Sequence, residues 1–224
     1  LVNMNHLGRM LTGPADPPVK VLFVYNCTPL STAPHQNLVR QGLERDDLTT
    51  IVFDQVMSDT ARYADIVLPA TTFLEQYDLA RAYGPISLQM VRPVVDAVGE
   101  ARPNVDVFAE IEQRLGLDRT GEPRDELEMV LRVIDGLPEG VGAAVSAGAP
   151  AAPPFGTAPI QFLDVFPRTP DGRVHLFPEG LDREAPLGLY TYQPDPATAQ
   201  YPLALISPSN EHAISSSLYE LVRR

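Results

Sequence analysis

Three short runs rich in β-branched and aromatic residues, Val19–Tyr25, Thr49–Phe53 and Ala64–Pro69, stand close together in the chain and most constrain what it can fold into. The first, Val19-Lys20-Val21-Leu22-Phe23-Val24-Tyr25, is nearly continuous in apolar residues rather than alternating. A strand of that kind must be covered on both faces, which is the habit of parallel sheets. Between the first two runs lie a loop, Asn26–Ala33, and then Pro34, which suits a first helical turn and predicts a helix through Arg45. A short helix is expected around Asp59–Tyr63, before the third run. The order βαβαβ implies right-handed crossovers and an α/β fold: a Rossmann-like, doubly wound, mainly parallel sheet with flanking helices.

Downstream, Ser87–Val95 reads as an added strand. Val105, Phe108, Ala109, Ile111 and Leu115 mark one face of a helix capped by Asn104, and a further helix carries Leu127, Val130, Leu131 and Ile134, closed by Gly136 and Pro138. Residues 138–159 collapse into Gly, Ala and Pro and read as a linker or long surface loop. Ile160–Phe166 and Arg173–Phe177 flank the turn Thr169-Pro170-Asp171-Gly172, predicting a hairpin. Tyr201–Ile206 is an incomplete C-terminal β segment that enters a polar loop, Ser207–Ser217. The domain plan is therefore 1–137 for the sheet, 138–159 for the linker, 160–200 for hairpin and connector, and 201–224 for the start of another β unit.

Lys and Arg number 17 against 29 Asp and Glu, a net charge of −12, which argues against nucleic acid or an anionic membrane surface as the main partner. No run approaches the roughly 18 to 20 apolar residues of a spanning helix, and Leu1–Met10 lacks the charged head and apolar stretch of a targeting signal. Direct membrane insertion is not expected, and the expected compartment is the cytoplasm. Cys27, the single cysteine, cannot form an internal disulfide, no C-x-x-C is present, and His6, His35, His175 and His212 share no metal-ligand spacing, so no metal site is expected within the chain. With 23 prolines, much of the chain must be loop. The stop at Leu221-Val222-Arg223-Arg224 falls inside an amphipathic stretch, and the expectation is an internal piece of a longer polypeptide.

In an open α/β sheet, ligands sit beyond the carboxyl ends of the strands. Those ends are Asn26–Thr32, Asp54-Gln55 and Pro69–Thr72. An acid after the second strand can accept from both hydroxyls of a ribose, while small polar residues and amides after the first can face a phosphate. No G-x-G-x-x-G follows the first strand, which argues against an ordinary NAD site. The same residues also fit plain structural roles: Asp54 a turn, Asn26 and Thr28 a strand end, Asn104 a cap. Neither a nucleophile elbow, a P-loop nor a close carboxylate pair occurs, so no catalytic residue is assigned.

The stretches Val21–Pro29 (VLFVYNCTP) and Phe53–Glu75 (FDQVMSDTARYADIVLPATTFLE) together resemble the molybdopterin oxidoreductases of the dimethyl sulfoxide reductase and formate dehydrogenase superfamily. The likeness continues through Arg102-Pro103-Asn104 and Glu110–Gly116 to Tyr201–His212, with the Gly/Ala/Pro stretch as the gap. Its most specific part is T-A-x-x-A-D-x-V-L-P-A after a strand-end acid. The resemblance implies a fragment of a bis-(molybdopterin guanine dinucleotide) enzyme of molybdenum or tungsten: the third, Rossmann-like domain and the first strand of the C-terminal cofactor-binding barrel. It implies further that Asn26, Thr28, Pro29 and Thr32 line the guanosine and pyrophosphate loop, that Asp54, with Gln55 beside it, falls on the ribose-binding acid, and that Asn104, where relatives often have Asp, faces the guanine. Ser207, Asn210 and His212 fall where relatives contact the pterin end. Iron–sulfur cysteines, where the family has them, and the metal ligand belong to earlier domains. The implied partners are the remaining domains of the parent and an electron-transfer subunit, and the implied parent activity is two-electron redox chemistry, with the fragment alone inactive. The alternative from another class is a non-catalytic nucleotide-binding or subunit-interaction Rossmann-like domain, as in thiamine-diphosphate enzymes.

Overall fold

Each of the three apolar runs becomes a strand of one parallel sheet in the computed structural model, which describes residues 3–14, 16–81, 87–138, 140–152, 160, 162–177, 179–184, 192, 199–203 and 206. The strands are β1 (Val21–Tyr25), β2 (Thr49–Asp54) and β3 (Ile66–Pro69), in spatial order β1-β2-β3. Val24 lies opposite Val52 and Tyr25 opposite Phe53, while Phe53 lies opposite Leu68. Side chains alternate between faces along a strand. One face therefore carries Leu22, Val24 and Val52, which pack with Ala61 and Ala64 of the turn before β3. The other carries Phe23, Tyr25 and Phe53.

Three helices cover the first face: α1 (Leu7–Thr12), α2 (Pro29–Thr32) and α3 (Gln36–Leu43). Ala33, Val39 and Leu43 form their core with Leu7, Leu22, Leu30 and Tyr63. The helix expected from Pro34 to Arg45 is the shorter α3, since His35 takes a left-handed conformation (φ 56°) before it, whereas α2 is a turn of helix inside the stretch Asn26–Ala33 expected as loop, ended where Pro34 forces Ala33 into extended backbone (ψ 146°). Arg45 closes this side, its guanidinium donating to the carbonyls of Leu11 (2.7 Å) and Val19 (3.3 Å). α4 (Asn104–Arg114) covers the second face through Phe108, whose ring lies 5.0 Å from Tyr25, 5.7 Å from Phe23 and 6.3 Å from Phe53. The helix capped by Asn104 in the sequence reading begins on it instead: Pro103 holds the cap position and no side chain caps this end.

A second small core lies beside the sheet. β4 (Asp78–Arg81) pairs antiparallel with β5 (Leu88–Val91), and Pro93 ends the strand expected over Ser87–Val95. α5 (Glu126–Asp135) and α6 (Val141–Ser146) pack on this hairpin around Val130, Ile134, Val145 and Ala151. The linker expected over 138–159 is therefore corrected in its first part: despite its poor composition, Val145 is fully buried and Ala151 bridges Leu88. Gly142 permits this, since a Cβ there would lie 2.8 Å from the Ile134 carbonyl oxygen. The turn over Thr169–Gly172 forms, with the Gly172 N–H on the Thr169 carbonyl at 3.0 Å, but the described residues flanking it are not strands; the antiparallel hairpin is β4–β5. A further short helix, α7, spans Glu179–Glu184. Of the expected strand at 201–206, residues 201–203 and 206 are described and are not in a strand.

Asp125 caps α5, its carboxylate accepting from the Glu128 N–H at 2.9 Å. Asp125→Ala is expected to cost about 1 kcal/mol, read as a lowered urea midpoint with unchanged slope.

Candidate functional site

The carboxyl ends of β1 and β2 put two polar loops side by side. Tyr25 is followed by exposed Asn26 in the left-handed region (φ 55°), which asparagine tolerates better than most residues and which turns the chain off the sheet. Thr28 then leads into α2, whose first residue, Pro29, is buried. The Thr28 carbonyl accepts the N–H groups of Ser31 and Thr32 (both 3.0 Å) and the Thr32 hydroxyl at 3.0 Å. Thr32 also stands on the rim of an open groove of about 580 Å³ lined by Ser31–Leu38.

Asp54 ends β2. Its Oδ1 accepts from the Gln55 N–H (2.7 Å) and its Oδ2 from the Ser58 hydroxyl (2.9 Å). A carboxylate offers about four acceptor positions, so each oxygen retains room for a further donor. The Gln55 side-chain amide donates to the Thr71 carbonyl at 2.9 Å, joining the β2 loop to the β3 loop. Thr71, itself buried, donates to Gln76 at 3.0 Å. Past β3, Ala70 bridges Arg102, and this parallel bridge carries the chain into α4, so Asn104 starts its helix at the same end of the sheet as Asn26 and Asp54. Sequence reasoning therefore named residues that the fold brings to one edge: Asn26, Thr28, Pro29, Thr32, Asp54, Gln55 and Asn104. Ser207, Asn210 and His212 lie outside the described residues.

Cys27 is exposed, and crowding by its neighbours, with the Asp54 carboxylate adding to it, pushes its thiol up from the ordinary range. Among the described residues, no group of three His, Cys, Asp or Glu converges to hold a metal, and no helix is long and apolar enough to cross a membrane.

The sequence reading missed the buried hydroxyls beneath this edge. Ser58 and Thr60 are 2% and 0% exposed. Thr60 Oγ1 lies 2.9 Å from Thr28 Oγ1 and accepts the Leu30 N–H at 3.1 Å. Part of the signal was present: Ser58 stands between the strand-end acid and T-A-x-x-A-D, and Thr60 is that motif's own threonine, but a hydroxyl in a turn needs a protein partner only once it is buried. In the same motif Asp65 accepts from the Thr50 N–H at 2.7 Å, a strand-tying role rather than a site role.

Residues 3–114 match the family model described as "Molybdopterin oxidoreductase". The "Probable oxidoreductase YoaE" of Bacillus subtilis (strain 168) is 33% identical over 219 residues, 96% of this chain and 32% of that protein. The dimethyl sulfoxide/trimethylamine N-oxide reductase of Cereibacter sphaeroides is 36% identical over 114 residues, 50% of this chain and 14% of that protein. Among solved structures, the acetylene hydratase from Pelobacter acetylenicus superposes with a TM-score of 0.64 at 25% identity, covering 88% of this chain and 27% of that one. The chain spans at most a third of the length of these relatives. With a model match that spans half of its length and falls on the sheet and the polar edge just described, the chain belongs to the molybdopterin oxidoreductase family.

Proposed function

We propose that this chain is the part of a larger molybdenum or tungsten oxidoreductase that anchors the guanosine end of a molybdopterin guanine dinucleotide. The observation that carries the reading is Asp54: a strand-end carboxylate beside the Asn26–Thr32 loop, oriented by Gln55 and Ser58 and with acceptor capacity left on both oxygens. That donor set fits the group. Asp54 accepts from the ribose hydroxyls, Asn26, Thr28 and Thr32 face the phosphates with Pro29 shaping their loop, and Gln55 braces the neighbouring loop. Asn104 meets the guanine edge through its amide, more weakly than a carboxylate would. When bound in the assembled enzyme, the cofactor's dithiolenes hold the metal at which two-electron chemistry takes place. This chain's share is positional, holding the nucleotide tail so that the metal is fixed.

Ser207, Asn210 and His212 extend the reading toward the pterin end. The remaining domains of a longer chain, an electron-transfer subunit and an iron–sulfur cluster in an earlier domain complete it, in a cytoplasmic enzyme. The chain alone is inactive. Family membership removes the ground for the thiamine-diphosphate comparison.

Calorimetric titration with GDP tests the reading. Saturable binding by the unchanged chain is expected, weakened at least about tenfold in Asp54→Ala through loss of charge-assisted hydrogen bonds. Equal binding by both proteins would remove Asp54 from the site.

A further inference from the structure

The Thr28–Thr60 contact at 2.9 Å leaves open on distance alone which hydroxyl donates. Burial decides it. Thr60 is 0% exposed, so its hydroxyl proton cannot reach solvent, and a buried donor without a partner is strongly disfavoured. Among the described residues, the only groups within hydrogen-bonding reach of Thr60 Oγ1 are Thr28 Oγ1 and the Leu30 N–H. The Leu30 N–H can only donate, so it occupies a lone pair of Thr60 and offers nothing to its proton. The Thr60 proton must therefore go to Thr28.

The consequence falls on Thr28. Its side chain is only partly buried, and once it accepts from Thr60 its own proton is directed elsewhere. The carbonyl of Thr28 is already occupied by Ser31, Thr32 and the Thr32 hydroxyl, and no described acceptor takes the Thr28 proton. From this we infer that Thr60 is a positioning residue: it polarises Thr28 so that the Thr28 hydroxyl serves the open edge as a donor, suited to an anionic oxygen such as a phosphate and not to a donor such as a ribose hydroxyl proton. The same atom fixes the loop, since its bond to the Leu30 N–H holds the first turn of α2 against the turn that follows Asp54. Thr60 thereby couples the phosphate-facing loop to the ribose-facing one.

The inference rests on the nucleotide reading of this edge, and the two are separable by experiment. The probes are GDP and guanosine, titrated into the full 224-residue chain with unchanged Thr60, Thr60→Val and Thr60→Ser. Valine fills the same space without the hydroxyl, whereas serine keeps the donor. GDP binding is expected to weaken about tenfold in Thr60→Val and to stay within about twofold in Thr60→Ser. Guanosine, lacking phosphate, should lose far less in Thr60→Val, a selectivity that a merely loosened fold would not produce. Thermal melts of all three proteins accompany the titrations. Equal GDP affinity in Thr60→Val and the unchanged chain overturns the inference while leaving the nucleotide site intact. Equal losses for GDP and guanosine overturn the donor assignment in favour of a structural role. Failure of the unchanged chain to bind either probe overturns the nucleotide reading and the inference with it.

Discussion

Gly42→Ala should destabilise the chain by roughly 2 kcal/mol, although alanine is the better helix former. Gly42 lies inside α3, where its backbone faces α1. The helix-propensity gain is about 1 kcal/mol in favour of alanine. Against it, an added Cβ would overlap Leu11 Cβ and stand 2.9 Å from Leu11 Cδ1. Leu11 is almost fully buried and its Cβ is attached to the α1 backbone, so the clash cannot be relieved by rotating a flexible tip. Overpacking of this kind costs about 1–3 kcal/mol and more when backbone must shift, so sterics win. Gly8 makes the reciprocal approach, its position lying 2.7 Å from Leu38 Cβ for an added methyl. Equilibrium urea unfolding provides the check, and the control is Gly180→Ala in α7, where nothing lies within 4 Å of the added methyl. A Gly42→Ala protein as stable as its parent would mean that α1 does not pack on α3 in solution.

Glu126 supplies the second large effect. It is 9% exposed at the start of α5, where its Oε2 accepts the Tyr77 N–H at 2.8 Å and so ties the hairpin to the helix. Burial, reinforced by Asp106, Asp78 and Asp125, pushes its carboxyl up to about 7. The folded value then exceeds the unfolded one, so folding favours the protonated form. Its stabilisation is complete below about 4.5 and is lost as pH rises through about 7. Glu126→Gln keeps an acceptor for Tyr77 and cannot ionise. The glutamine protein is therefore expected to match its parent near pH 4.5 and to exceed it by about 2–3 kcal/mol at pH 8. The difference between the two stability curves isolates this group from carboxylates such as Glu128, which Arg124 and Arg132 hold down near 2 and which act in the opposite sense. A flat difference curve would show that Glu126 is solvated in the folded chain.

The parallel sheet was legible because its signal is local: continuous apolar runs separated by lengths that suit crossovers. The polar edge was legible for the same reason, since strand ends name their own first residues, and Asn26, Thr28 and Asp54 follow directly from β1 and β2. What escaped the sequence depended on distant partners. β4 (Asp78–Arg81) has little apolar pattern of its own and exists because β5 and α5 cover it. α6 arises in a Gly/Ala stretch whose composition argues for a loop, and only the fit of Val145 into the Val130–Ile134 core makes it a helix. The cap of α4 was misread because Asn104 satisfies the preference for a cap residue, while Pro103, at the preceding position, has the extended backbone the cap requires. Ser58 and Thr60 were passed over because their importance lies in burial, which spacing does not report.

Phe108 wedges against Phe23, Tyr25 and Phe53, so the helix bearing Asn104 and the strands leading to Asn26 and Asp54 share one aromatic joint. A ligand reaching across those three positions meets a surface whose parts cannot reorient separately. It has little ordering left to impose, and preorganisation of that kind lowers the entropic cost of association. Changes at this edge should then be felt in how long a ligand stays more than in how fast it arrives.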